Sequence, residues 1–143
     1  MRHAELCSIA HNFADSLACG LGLVIGHYPT DVFREAGNSS NGHITVDFLT
    51  GTILEGRPST GLAQAIALYS EALPAFCEKH GASISDFREL AVRYSGGQPD
   101  RRFVVTVVDG QGRRSSSEYG GHGERLMVLD PLGRRRPKVS DGP

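Results

Sequence analysis

A strand with apolar side chains on both faces needs cover from two sides, and Phe103 to Val108 is such a strand. No other segment restricts the fold as much, because one layer of helices can shelter only one of its faces. Asp109-Gly110 follows it as a hairpin signal, and a two-residue loop there sets Val105 opposite Arg114 and Val104 opposite Ser115. On that register Arg101 faces Glu118. The returning strand, Arg113 to Glu118, is polar on both faces and reads as a sheet edge protected against pairing with another chain. Ahead of the central strand, Leu90, Val92 and Tyr94 alternate with Glu89, Ala91 and Arg93 until Gly96, Gly97 and Pro99 break the rhythm. Leu126 to Leu129 adds one more short apolar strand.

The first part of the chain is organised differently. Leu6, Ile9, Ala10, Phe13 and Leu17 follow the spacing of an amphipathic helix from His3 to Cys19, with Gly20 placed as its left-handed stop. Leu21 to Ile25 reads as a short buried strand, and Pro29, Thr30 and Asp31 open a brief helix to Ala36. Gly37 to Gly42 is a loop. Ile44, Val46 and Phe48 then alternate with Thr45, Asp47 and Leu49 as a strand that Gly51 bulges or turns toward Ile53. Pro58 and Ser59 start the main packing helix, in which Leu62, Ile66, Tyr69, Leu73 and Phe76 form one stripe that ends at His80-Gly81. Pro74 lies inside it and predicts a kink.

The predicted order is α-β-α-β-α-β-β-β-β. Helices gathered early and a late meander specify an α+β fold, an antiparallel sheet packed against two longer helices and one short helix. Residues 1–130 read as a single domain, and 131–143, with Arg134, Arg135, Arg136 and Lys138, as a disordered basic tail. The second face of the sheet is to be covered by the short helix or by a second copy of the chain.

Charge and cysteine content limit the partners. Fifteen Lys and Arg against sixteen Asp and Glu give a net charge of −1, which argues against a surface built wholly for nucleic acid or membrane. The balance is uneven along the chain, with four basic and nine acidic groups in residues 1–87 and eleven and seven in 88–143. Leu17 to Ile25, interrupted by Gly20 and Gly22, is far shorter than the ~20 residues of a membrane span. No apolar run follows Arg2 as a secretory signal requires. Cys7, Cys19 and Cys77 are odd in number and lack Cys-x-x-Cys spacing, as expected of thiols in a cytoplasmic protein.

Four groups of residues carry possible chemistry. His3, Cys7, His11 and Asp15 recur every fourth residue on a stripe expected to turn away from the core, but at 1.5 Å per residue the set spans ~18 Å, too far for one ion. His27 and His43 each follow a glycine and precede an aspartate by four residues, Asp31 and Asp47, and Gly121-His122 is a third such pair. If these histidines converge, they supply a metal-dependent or acid-base site. Gly20, Gly22 and Gly26 follow a helix, the wrong context for a nucleotide loop, and Ser115 to Ser117 lack a nucleophile elbow. Arg93, Arg102, Arg113 and Arg114, with aromatic residues among them, resemble the ingredients of single-strand nucleic-acid binding, but interleaved carboxylates disfavour that partner.

The sequence therefore predicts a small non-catalytic domain that self-associates, as a homodimer for example, or binds a protein partner, with no cofactor and no membrane. The competing readings are an enzyme or small-ligand binder using His27, His43, His122, Asp31 and Asp47, and a single-strand nucleic-acid binder using the four arginines.

Overall fold

The structure is a computed structural model that describes residues 2–18, 31–96 and 101–120, and the backbone alone of 19, 125–129 and 135–136. It is an α+β fold. Helices α1 (His3–Cys19), α2 (Val32–Gly37) and α3 (Thr60–Lys79) pack on an antiparallel sheet of β1 (His43–Asp47), β2 (Thr52–Glu55), β3 (Phe87–Ser95), β4 (Arg102–Asp109), β5 (Arg114–Gly120), β6 (Arg125–Leu129) and β7 (Arg135–Arg136). The order across the sheet is β2-β1-β3-β4-β5-β6-β7. The expected strand at Leu21 to Ile25 lies outside the described residues, and β7 adds two residues of the segment read as a tail.

Local chemistry explains most boundaries. The Asp31 side chain accepts hydrogen bonds from the Phe33 and Arg34 amides and so starts α2; Ser59 caps α3 by accepting from the Leu62 amide. Gly81, with φ of +81°, follows the His80 cap of α3 in the left-handed region. Pro74 is accommodated within the continuous helix. Gly51, at φ +75°, closes the β1–β2 turn, and its amide donates to the Asp47 carbonyl at 2.8 Å.

One contiguous core joins the three helices to a single face of the sheet. Phe13 of α1 meets Phe48, Tyr69 and Phe76 edge-on at centroid distances of 5.2, 5.5 and 5.2 Å. Tyr94 of β3 is fully buried, and its hydroxyl donates to the Ala14 carbonyl of α1 at 2.9 Å. Phe33 of α2 packs on Tyr94 and Phe103. The short helix therefore shares the face used by the long ones and does not cover the other.

Three expectations are corrected. The loop between β4 and β5 is not the two-residue turn Asp109-Gly110. Gly112, at φ +83°, occupies the left-handed position, its amide donates to the Asp109 carbonyl at 3.0 Å, and the Asp109 amide donates to the Arg113 carbonyl at 3.0 Å. This three-residue loop of a type I turn plus a left-handed glycine moves the register, so Val108 faces Arg114, Val107 faces Ser115 and Val104 faces Glu118. Arg101 pairs instead with Asp31 at 3.1 Å and lies over the Phe33 ring. Second, β5 is an inner strand between β4 and β6; the hydroxyls of Ser115 and Ser116 are matched rather than solvated, as at Thr106–Ser116, 2.7 Å apart. Third, the His3–Cys7–His11 side of α1 does not turn to solvent. It lies against β4 and β5, with His11 stacked on Tyr119 at 3.9 Å.

Candidate functional site: an open sheet face and a buried relay

Alternation along the strands sorts the functional candidates onto two sides of the sheet. The registers place Thr45, Arg93, Val104 and Glu118 in one row across β1, β3, β4 and β5 of the side that carries no described helix. Asp47, Ala91, Thr106 and Ser116 form the next row; His43, Ser95 and Arg102 form another; Glu89, Val108 and Arg114 a fourth. Five of the residues nominated from sequence, His43, Asp47, Arg93, Arg102 and Arg114, thus share this open face. Its centre is small and aliphatic, with Ala91, Val104, Thr106 and Val108 each only partly buried, whereas Phe103, Val105 and Val107 on the other side are sealed.

Charges at the margin of that face are paired. Arg93 reaches Glu55 at 3.2 Å and Arg114 reaches Glu89 at 3.3 Å, whereas Glu118, which Arg102 reaches at 3.4 Å, is buried, so the face is covered at that end of β5. The Thr45 hydroxyl, which donates to Glu55, outweighs burial and, with Arg93, His43 and Asn41, holds that carboxyl below its ordinary value. His43 Nδ1 lies 2.8 Å from the Ser95 hydroxyl. Asp47 accepts the Leu49 amide at 3.0 Å, a turn-forming role. Asp31 caps α2 and pairs with Arg101, while His27 and His122 lie outside the described residues. The fourth nominated arginine, Arg113, belongs to the β4–β5 loop and donates through Nε to Asp109 at 2.8 Å. Among the described residues, no three His, Cys, Asp or Glu side chains gather as a metal site requires.

The core side carries an arrangement that no local spacing announces. Asp109 is 3% exposed, yet its carboxylate accepts from the Gln111 and Arg113 amides at 2.9 Å each, from Arg113 Nε, and lies 3.1 Å from His3 Nδ1. His3 Nε2 is 2.9 Å from Ser115 Oγ, and Cys7 Sγ is 3.1 Å from the same oxygen. Burial by itself raises the Asp109 pKa, but the Arg113 amide and guanidinium, the Gln111 amide and His3 outweigh it and hold the group well below the usual carboxylate range. An ionised carboxylate only accepts, so His3 carries a proton on Nδ1; in the neutral ring Nε2 accepts from the serine hydroxyl. The Ser115 oxygen is then the acceptor for the Cys7 thiol. In that neutral state of His3 the four groups form one directional chain from thiol to hydroxyl to imidazole to carboxylate.

Linkage gives this chain a measurable signature. With its folded pKa depressed, Asp109 contributes stability that is complete above the unfolded carboxyl's value near pH 4 and is lost as pH falls through the lower folded value. The urea midpoint of the native protein should therefore fall steeply from about pH 5 toward pH 2. Asp109→Asn should start lower at pH 7 and show a flatter acid limb. Equal limbs in both proteins would assign the acid sensitivity to other carboxylates.

Sequence reasoning missed His3, Cys7, Asp109 and Ser115 as a group. His3 and Ser115 are 112 positions apart and only the fold brings them together. The one local hint was the i, i+4 spacing of His3 and Cys7, which puts both on one side of α1. Comparison of the chain with protein-family models, curated proteins and solved structures finds no match.

Proposed function

We propose that this chain is a self-associating module whose open sheet face packs against the same face of a second copy, and that it works in the cytoplasm as a binding domain. One observation carries the reading: on the central strand β4, Val104 and Val108 are only partly buried, on the side that none of the described helices covers. Two antiparallel sheets stacked about 10 Å apart would bury such a surface, with Ala91 and Thr106 small enough to interdigitate. The margin supports a copy rather than a different partner. It carries Arg93 and Arg114 alongside Glu55 and Glu89, and a two-fold axis can bring opposite signs together from identical surfaces. The same pairing offsets the positive charge that a nucleic-acid backbone would need.

Cellular placement rests on the thiols. Cys7 and Cys77 are not joined in a disulfide, and Cys77, sealed in the core, is pushed up to about 11 chiefly by burial. Among the described residues, no helix is long and apolar enough to cross a membrane.

Light scattering on a size-exclusion column tests the association. The native chain should elute at twice the mass of one copy at micromolar concentration, and Val104→Lys should elute as a single copy with an unchanged far-ultraviolet spectrum. A native chain that stays monomeric at several hundred micromolar refutes the reading.

A further inference from the structure

We propose that Ser115 is a nucleophile, activated by His3 and Asp109, that accepts acyl groups from small activated carboxylic esters. The observation is geometric. Asp109 Oδ2, His3 Nδ1 and Nε2, and Ser115 Oγ form a continuous series with steps of 3.1 and 2.9 Å, in the order carboxylate, imidazole, hydroxyl. A serine hydroxyl is a weak nucleophile until a base within hydrogen-bond reach takes its proton, and that base works only if a third group fixes its tautomer and stabilises the imidazolium. Each role is filled here. Asp109 is buried, ionised and anchored by two backbone amides and Arg113, so it cannot swing away from the ring. His3 is 21% exposed, which leaves the base reachable while its carboxylate partner is sealed.

A structural latch alone would explain a bond between His3 and Asp109, since it ties the first turn of α1 to the β4–β5 hairpin. It would not require the second ring nitrogen to face a hydroxyl that sits on a rigid strand. Ser115 is fixed by its pairing with Val107 on one side of β5, and it is partly exposed. That half-buried position between α1 and the hairpin favours a short acyl group over a long one.

In the reaction, Ser115 Oγ forms a bond to the ester carbonyl carbon as its proton passes to His3 Nε2. The carbonyl becomes a tetrahedral oxyanion. Collapse breaks the bond to the leaving alcohol, which takes the proton from Nε2. Water then attacks the acyl-serine, giving its proton to Nε2; the carboxylic acid departs and the proton returns to Ser115. Cys7, through its contact with Ser115 Oγ, positions that oxygen and takes no part in bond making.

The surface used is separate from the proposed dimer face, because Ser115 and Arg114 point to opposite sides of β5, so either proposal can fail alone. The test is a fluorophosphonate probe, which phosphonylates activated serines with loss of fluoride, read by intact mass and peptide mapping on the full folded chain. One adduct at Ser115 is expected. Ser115→Ala should abolish it, and His3→Gln, which keeps a polar side chain at the latch, should slow it by about 100-fold or more. Ser116→Ala, on the opposite side of β5, should change the rate by no more than about threefold, and release of p-nitrophenolate from p-nitrophenyl acetate should follow the same ranking. No adduct on the folded protein overturns the proposal. So does an adduct on Cys7, or labelling of Ser115 at the same rate in native protein and a folded His3→Gln variant.

Discussion

Gly96→Ala should lower the urea midpoint of unfolding by about 1–2 M, a loss of about 3 kcal/mol or more. A Cβ built on Gly96 would lie 1.8 Å from the Phe33 carbonyl oxygen and 2.5 Å from the Gly37 nitrogen, both backbone atoms that no side-chain rotation can move. Relief requires α2 to lift off the end of β3, and α2 carries Val32, Phe33 and Ala36, all sealed in the core. Gly110→Ala is the matched control. Its Cβ would meet nothing closer than the Asp86 carbonyl at 4.0 Å, and its φ is not positive, so a change of at most ~0.5 kcal/mol is expected. If the two variants unfold alike, α2 does not approach β3 as closely as described.

Phe13→Ala is expected to cost about 3–5 kcal/mol, a large share of the ~5–15 kcal/mol that holds a domain of this kind together. The ring is fully buried and touches three others edge-on, one from the β1–β2 turn and two from α3. Its removal leaves a void that these neighbours, each fixed by its own element, cannot collapse into. Phe13→Leu, which retains most of the volume, should lose far less. Thermal and urea unfolding of both variants provide the measurement; a Phe13→Ala protein within 1 kcal/mol of native would mean that the void refills and that the cluster is not rigid.

The elements legible in the sequence are those whose signals are local. Pro58-Ser59 and His80-Gly81 bracket α3, and the stripe from Leu62 to Leu73 is the face it buries. Leu6 to Leu17 does the same for α1, and the alternation of β3 and β4 marks the sheet. What failed depended on distant partners. The hairpin loop turned on which of two glycines, Gly110 or Gly112, takes the left-handed position, and the choice of Gly112 shifts every pair along β5. The polarity of β5 suggested an edge because a hydroxyl matched to a neighbour across the sheet and a hydroxyl bathed in water look the same in one dimension. Ser116 is matched to Thr106, and Ser115 to His3 and Cys7. For the same reason the sequence nominated histidines beside glycines and read His3 only as one of a stripe turned from the core, although its partners lie at the far end of the fold.

The order in which the ribosome releases these parts follows from where α1 finds its contacts. Phe13 meets Phe48, Tyr69 and Phe76, the Ala14 carbonyl accepts from Tyr94, and His3 reaches Asp109 and Ser115, so α1 is synthesised before every one of these partners. Its greasy stripe must wait undocked, as a target for chaperones, until the meander has emerged. Docking of α1 is therefore a non-local step, of the kind that slows folding relative to local helix pairing.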